Sequence, residues 1–225
     1  MAQQSNAIRR IYCEATGTEN AFRTAHRPLA DPNQRKEATM SRINVVDPKD
    51  AAGEARELLD AVQRQLGIVP NFIRVLANSP KALAAFLGLY GPMGAAALDK
   101  ATQERIALVV AEENGCQYCV SAHTAIGRHA GLSNEEMLLN RQGGSGDARG
   151  AAAVAFARAL NEHRGEVTTA EFDAVRAAGY SDGEIVEIIT AVALNVYTNM
   201  LGKSTLVPID FPKVAFLNGA TEAAA

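Results

Sequence analysis

The sequence predicts an all-α protein, and three observations carry that reading. Hydrophobic residues make up 48% of the 225 residues, yet aromatics are only 5% and tryptophan is absent. That alanine-rich mix favours closely packed helices over strands, where β-branched and aromatic residues are enriched. Apolar positions recur at three- and four-residue spacing, with no persistent alternation of period two. Helix-opening signals also repeat along the chain, as an acid or serine before proline or as a hydroxyl three residues before glutamate.

Each element follows from such a signal. Asp47-Pro48 reads as an N-cap acid with proline in the first turn, and Leu58, Leu59, Val62 and Leu66 supply the apolar face of the helix behind it. Gly67 ends that helix. Pro70-Asn71 opens a short one carrying Phe72, Ile73 and Val75. Ser79-Pro80 opens the next, through Phe86, Leu87 and Tyr90, and Gly91-Pro92 is expected to stop it. Asp99 caps an apolar-rich segment over 101–111. Asn114-Gly115 interrupts this run, and a new helix is expected from there to about His129. Ser133 with Glu136 forms a capping-box pattern. The four glycines within 142–150 predict a loop, followed by a helix over 151–162 with an alanine-rich face. Capping-box patterns return at Thr168 with Glu171 and at Ser181 with Glu184, the latter opening a long helix over about 182–201. Val207-Pro208 and Phe211-Pro212 predict an irregular tail on the surface. A faint echo links Gly131-Leu132-Ser133-Asn134-Glu135-Glu136 with Gly179-Tyr180-Ser181-Asp182-Gly183-Glu184; two similarly capped turns account for it as well as duplication does.

Charge and hydropathy exclude several classes of function. The chain holds 25 acidic against 22 basic side chains, for a formal charge of -3. Its basic residues are scattered, which suits nucleic acid poorly. No apolar run approaches the roughly 20 residues of a membrane span; the richest, over 185–194, carries Glu187. No glycine-rich phosphate loop is present, and no cofactor is expected. Residues 1–39 stand apart. Six basic groups (Arg9, Arg10, Arg23, Arg27, Arg35, Lys36) face four acidic ones (Glu14, Glu19, Asp31, Glu37), and no hydrophobic periodicity runs through them. They lack the apolar core of a secretory signal. Met40-Ser41-Arg42-Ile43-Asn44 resembles an ordinary protein start, so 1–39 reads as an extension outside the core or as an arm against a neighbouring subunit. The core is expected as one helical domain over 40–216, with a frayed tail over 217–225.

The chemistry concentrates in one segment. Of the three cysteines, Cys13, Cys116 and Cys119, the last two stand one helical turn apart. Such scarcity argues against a disulfide-built secreted domain and fits a cytoplasmic protein. Asn114-Gly115 puts the pair at a helix start, where open N–H groups and the helix dipole stabilise a thiolate. His123 follows Cys119 by four residues, on the same face, and an imidazole suits proton transfer near neutrality. Glu104 lies on the preceding helix, able to orient the histidine if the two helices pack together. Two plainer readings stand beside the reactive dithiol: a zinc site completed by His123 and a carboxylate, or two buried inert cysteines. No second Cys-x-x-Cys supports the metal site, and none is expected. Tyr118, between the cysteines, packs or donates a hydrogen bond. His129 and His163 have no comparable context.

Glu104, Cys116-Gln117-Tyr118-Cys119 and His123 together resemble the signature of the alkylhydroperoxidase AhpD-like, or carboxymuconolactone decarboxylase, family, in its branch of uncharacterised peroxidase-related enzymes. The similarity extends over most of 43–214, including Gly67-Ile68-Val69-Pro70-Asn71-Phe72 and Asn195-Val196-Tyr197-Thr198-Asn199. The resemblance implies an AhpD-like helical bundle assembling as a dimer, trimer or hexamer. AhpD members reduce peroxides weakly or serve as thiol reductants of a peroxiredoxin, taking electrons from dihydrolipoamide. Carried over by motif, Cys119 is the attacking thiol, Cys116 its resolving partner, and Glu104 and His123 move protons. AhpD has a histidine between its cysteines where this chain has Tyr118, so the relay lacks one member. True carboxymuconolactone decarboxylases lack the cysteine pair.

The expected activity is therefore a thiol-dependent alkylhydroperoxidase or disulfide reductase, acting on a small peroxide with an external dithiol or protein thiol as reductant. A lyase acting on a small carboxylated lactone is the rival; its cationic groups would have to come from Arg105 or Arg128. The third reading is a non-enzymatic redox sensor or interaction protein.

Overall fold

A computed structural model describes residues 41–217. The extension over 1–39, with Cys13, and residues 218–225 of the expected tail lie outside the described residues. Those described form nine α-helices and no strand: α1 (Gly53–Leu66), α2 (Asn71–Leu76), α3 (Pro80–Met93), α4 (Lys100–Glu113), α5 (Gln117–His129), α6 (Asn134–Arg141), α7 (Ala148–Glu162), α8 (Thr169–Ala177) and α9 (Asp182–Thr205). They group into two compact units, one of residues 41–95 with Ser204–Asp210, the other of Ala96–Lys203 with residues 211–217.

In the first unit α1 and α2 both lie against α3. Leu58, Leu59 and Val62 of α1 are buried as their spacing predicts. Phe86 meets Phe72 edge-on and stacks on Tyr90, with ring centroids 5.5 Å apart in both pairs. The backbone N–H of Arg42 donates to Thr205 O over 2.8 Å. Asn71 N–H donates to Asp210 Oδ2 over 2.7 Å, fixing the segment after α9 on the start of α2.

The second unit is built around α4. Ile106, Ala107, Leu108, Val109, Val110 and Ala111 are all buried, so this helix is covered on every side. α5, α6 and α7 pack on it, and α8 packs on α7. Leu108 joins Leu132 and Met137 in a core cluster. Arg105 Nε donates to Glu136 Oε1 over 2.8 Å, tying α4 to α6. Glu136 also accepts from Ser145 Oγ, Asn140 Nδ2 and Gly146 N–H. Desolvation pushes its carboxyl upward, but these donors prevail and hold it at about 2.

Several boundaries differ from the sequence reading. Asp47 does not open α1: its Oδ1 accepts from Lys49 N–H, closing a local turn of the kind Asp readily forms, and α1 starts at Gly53. α3 runs through Pro92 to Met93; the proline falls in the last turn, where it forgoes a single backbone hydrogen bond and little helix follows to be disrupted. Asp147 caps α7 by accepting from Gly150 N–H over 2.7 Å, so that helix starts three residues before the expected 151. At Ser133 only half of the capping box forms. Its hydroxyl accepts from Glu136 N–H, but the Glu136 carboxylate turns to Arg105 and the 144–146 loop. The full reciprocal box exists at Thr168–Glu171 and at Ser181–Glu184.

The last helix continues past 201 to Thr205, spanning 24 residues. By length and composition α9 is apolar enough to cross a membrane, which the shorter run at 185–194 did not suggest; 44% of its apolar window is buried within the protein. Ile185, Ile188, Ala191, Val192 and Leu194 are the buried residues that account for much of this apolar character.

Candidate active site

The elbow between α4 and α5 places the cysteines. Gly115 takes a left-handed φ of 61°, which glycine adopts without steric cost, and the chain turns there so that Cys116 becomes the N-cap of α5. Cys119 N–H donates to Cys116 Sγ over 3.3 Å. The Cys116 and Cys119 sulfurs meet within disulfide reach, with Cα atoms 5.3 Å apart, and both residues are buried. The helix pole and one backbone N–H thus serve Cys116 rather than Cys119.

His123 stands one turn beyond Cys119 on α5. Its Nδ1 lies 2.8 Å from Glu104 Oε2 on α4, with 17% and 13% of the two side chains exposed. An ionised carboxylate only accepts, so Nδ1 donates here and Nε2 is left to exchange a proton. The four residues singled out in the sequence therefore meet as two contacts: Cys116 with Cys119, and His123 with Glu104.

Tyr118 takes neither part. It is buried, and its ring meets Phe211 edge-on with centroids 5.7 Å apart. Gln117 Nε2 donates to Val214 O over 3.3 Å, and Val214 N–H donates to Ser121 Oγ over 3.1 Å. The segment from Phe211 to Leu217 is a strap across the start of α5. Its end is held by the Arg141–Glu112 ion pair, since Arg141 donates to Ala215 O and Leu217 N–H donates to Glu112.

A second set of residues around the elbow escaped the sequence reading. Asn114 Nδ2 donates to Asn161 Oδ1 of α7 over 3.1 Å and to Asn199 Oδ1 of α9 over 2.9 Å. Lys203 Nζ donates to Asn114 O over 2.5 Å. Gly202 lies close to the sulfurs: a Cβ there would sit 3.2 Å from Cys116 Sγ and 3.9 Å from Cys119 Sγ. The only sequence signal was asparagine in the otherwise apolar run of α9. Lys100, one turn before Glu104, was likewise not singled out; desolvation lowers its ammonium pKa and the Glu104 charge opposes that. Of the candidate lactone-binding arginines, Arg105 is engaged by Glu136 and Arg128 by Asn134 Oδ1. Among the described residues no group of three or more His, Cys, Asp or Glu side chains is arranged to hold a metal ion.

Comparison with known proteins agrees with this architecture. Residues 80–162 match the carboxymuconolactone decarboxylase family. An uncharacterized peroxidase-related protein from Silicibacter sp. TM1040 has a similar structure, with a TM-score of 0.67 at 26% identity over 76% of this chain and 93% of its own. The alkylhydroperoxidase AhpD core structure of an uncharacterized peroxidase-related protein from Ralstonia eutropha JMP134 gives the same TM-score of 0.67 and 26% identity, again over 76% of this chain and 93% of its own. The debrominase Bmp8 in complex with 2,3,4-tribromopyrrole is similar at a TM-score of 0.64 and 21% identity, over 76% of this chain and 94% of its own; that likeness bears on the fold alone. No curated protein matches the chain.

Proposed function

We propose that the chain, a member of the AhpD-like, carboxymuconolactone decarboxylase family, works as a thiol-dependent peroxidase or disulfide reductase. One observation carries this reading: a cysteine pair that closes on itself at a helix start, one turn before a histidine held by a partly buried glutamate.

The cycle follows from that geometry. In the reduced protein, His123 Nε2 accepts the Cys119 proton while Glu104 supports the charge gained by the ring. The Cys119 thiolate attacks the nearer peroxide oxygen. The O–O bond breaks, Cys119 becomes a sulfenic acid, and the alcohol leaves with the proton returned by His123. The Cys116 thiolate, stabilised at the α5 N-cap, then attacks the Cys119 sulfur and expels hydroxide, which takes up the remaining proton as water. One peroxide and two thiols become an alcohol, a water and a disulfide. An external dithiol or protein thiol reduces the pair again. Acting on a disulfide, the same pair runs as a reductase. Both sulfurs are buried, which favours small peroxides or an extended thiol arm over a bulky substrate. The lyase reading is weaker because Arg105 and Arg128 are already engaged. We place the reaction in the cytoplasm, where reductant is abundant, and expect a homo-oligomer, with neither nucleic acid nor membrane as partner.

The test is to mix the reduced full-length protein with ethyl hydroperoxide and to quantify the Cys116–Cys119 disulfide by mass spectrometry. Rapid disulfide formation in the wild type, a trapped sulfenic acid in Cys116→Ser and no consumption of peroxide in Cys119→Ser are expected. Cysteines that stay fully alkylatable in the folded wild type, inert to peroxide and to thiol exchange, sink the proposal.

A further inference from the structure

We infer that Asn199, Gly202 and Lys203 of α9 form a wall that holds the negative charge of the Cys116 thiolate, making Cys116 the leaving sulfur when the disulfide is reduced. The inference rests on the dithiol reading above and deepens it, by stating which sulfur carries the charge and what stabilises it there.

The amides around the elbow have a fixed direction. Glu113 Oε2 accepts from Asn161 Nδ2 over 3.1 Å, and Arg158 keeps that carboxylate in place through Glu113 Oε1 over 2.6 Å. An acceptor-only carboxylate orients Asn161. Asn161 Oδ1 then faces Asn114 Nδ2, and the same Asn114 Nδ2 faces Asn199 Oδ1. The circuit ends at Asn199 with its Nδ2 pointing away from Asn114. Asn199 is 1% exposed, and its Nδ2 has no hydrogen-bond partner among the described residues. A buried donor without an acceptor costs free energy and calls for an explanation.

The state of the sulfurs supplies one. With Cys116 in a disulfide, its sulfur is a poor acceptor; as a thiolate it is a strong one. Gly202 and Lys203 follow Asn199 by three and four residues, on one face of α9. Gly202 is the close-approach point to Cys116 Sγ. Lys203 Nζ sits on Asn114 O and would lie 4.0 Å from a Cβ at Gly115, beside the residue that precedes Cys116. The other charges around the elbow are engaged: Glu112 with Arg141, Glu113 with Arg158, and Glu104 with His123 on the Cys119 side. The strap adds only exposed Lys213. Beside Cys116 the wall therefore gathers one ammonium, held on Asn114 O, one amide N–H without a partner one turn before the Gly202 contact, and the pole of α5.

In turnover, the thiolate of the reductant attacks Cys119 Sγ. The Cys116–Cys119 bond breaks, its electron pair leaves on Cys116, and Cys119 forms a mixed disulfide. The second thiol of the reductant gives its proton to His123 and displaces Cys119, which takes that proton from His123, and the oxidised reductant departs. A leaving thiol of lower pKa leaves faster, so the wall accelerates the first of these steps.

The experiment uses the full-length chain with Cys119→Ser and follows iodoacetamide alkylation of Cys116, by peptide mass spectrometry, against pH. The midpoint is expected below the free-thiol value of about 8.5. Lys203→Met and Asn199→Asp should each raise it by roughly half to one unit and slow alkylation at pH 7 about three- to tenfold, whereas Lys203→Arg should leave it in place. Lys203 is exposed, so its variants keep the test valid should an Asn199 substitution impair folding. Unchanged midpoints in folded Lys203 and Asn199 variants overturn the inference, even where the wild-type dithiol is active. A wild-type dithiol that never turns over, with midpoints that still move, defeats the peroxidase reading and leaves the wall intact.

Discussion

Replacing Glu104 by glutamine probes the proton relay with little change of shape. The Nδ1–Oε2 contact is 2.8 Å long, and fewer than a fifth of the side-chain areas are exposed. A hydrogen bond to a charged group in such a setting contributes about 1.5–3 kcal/mol, against at most about 1 kcal/mol for an exposed pair. Glutamine keeps an acceptor oxygen at the same place, so the loss is the charged part, about 1–2 kcal/mol. If that loss is felt when the imidazolium forms, disulfide closure slows by about 5- to 30-fold. The assay is quenched-flow mixing of reduced protein with excess ethyl hydroperoxide at pH 7. A double-mutant cycle locates the effect: once His123→Ala is in place, Glu104→Gln should cost almost nothing further. A rate within twofold of wild type for Glu104→Gln alone, or factors that simply multiply in the double variant, would refute the claim that Glu104 acts through His123.

Three further outcomes are expected. Glu136 is held at about 2 against an ordinary 4.5, a ceiling of about 3 kcal/mol, and solvent reaching the 15% of its side chain still exposed reduces this to about 1–2 kcal/mol. Because the folded value is depressed, that stability is complete above about pH 4.5 and is lost as pH falls towards 2; thermal melts of wild type and Glu136→Gln should differ at pH 7 and converge near pH 2. Gly202→Ala brings a Cβ to 3.2 Å from Cys116 Sγ, so stopped-flow closure of the disulfide should slow severalfold although alanine is the better helix former by about 1 kcal/mol; closure at the wild-type rate would mean that the contact is slack. Phe211→Ala removes the edge-on partner of Tyr118 and should lower stability by about 1–2 kcal/mol while speeding alkylation of the reduced cysteines, as read by melting temperature and mass spectrometry.

The fold was legible because its signals are local. Gly67, Ser79, Asp99 and Thr168 each satisfy or redirect backbone groups within one turn, and all four act where the spacing placed them. Misreadings arose where a side chain had a distant choice. Glu136 was free to complete a capping box with Ser133, but Arg105, thirty-one residues away, together with the 144–146 loop offered more donors. The same distinction divides the site. Cys116, Cys119 and His123 lie within two turns of one helix, so their spacing revealed them. The Asn114–Asn161–Asn199 circuit joins three helices and leaves no periodic trace. Tyr118 shows a third case: its place between the cysteines left packing and hydrogen bonding both open, and Phe211, far along the chain, supplies a packing partner.

The surroundings of the two sulfurs differ in a way the motif alone does not reveal. Cys119 shares its helix face with His123, whose ring is oriented by Glu104; in the proposed cycle that side moves protons. Cys116 sits at the pole of α5, accepts Cys119 N–H and abuts Gly202 beside Lys203; by our inference that side holds charge. A dithiol needs both services at different moments. Its attacking sulfur must lose and regain a proton within each cycle, which favours a nearby base of matched affinity over a deeply stabilised anion. Its partner must leave readily on reduction and attack without waiting for a base, which favours a standing thiolate. Lowering the pKa of Cys119 as well would weaken it as a nucleophile and dull that division. The absence of a histidine between the cysteines is then no deficit. In the proposed cycle His123 with Glu104 serves the sulfur that exchanges protons, and donors from α5 and α9 serve the other.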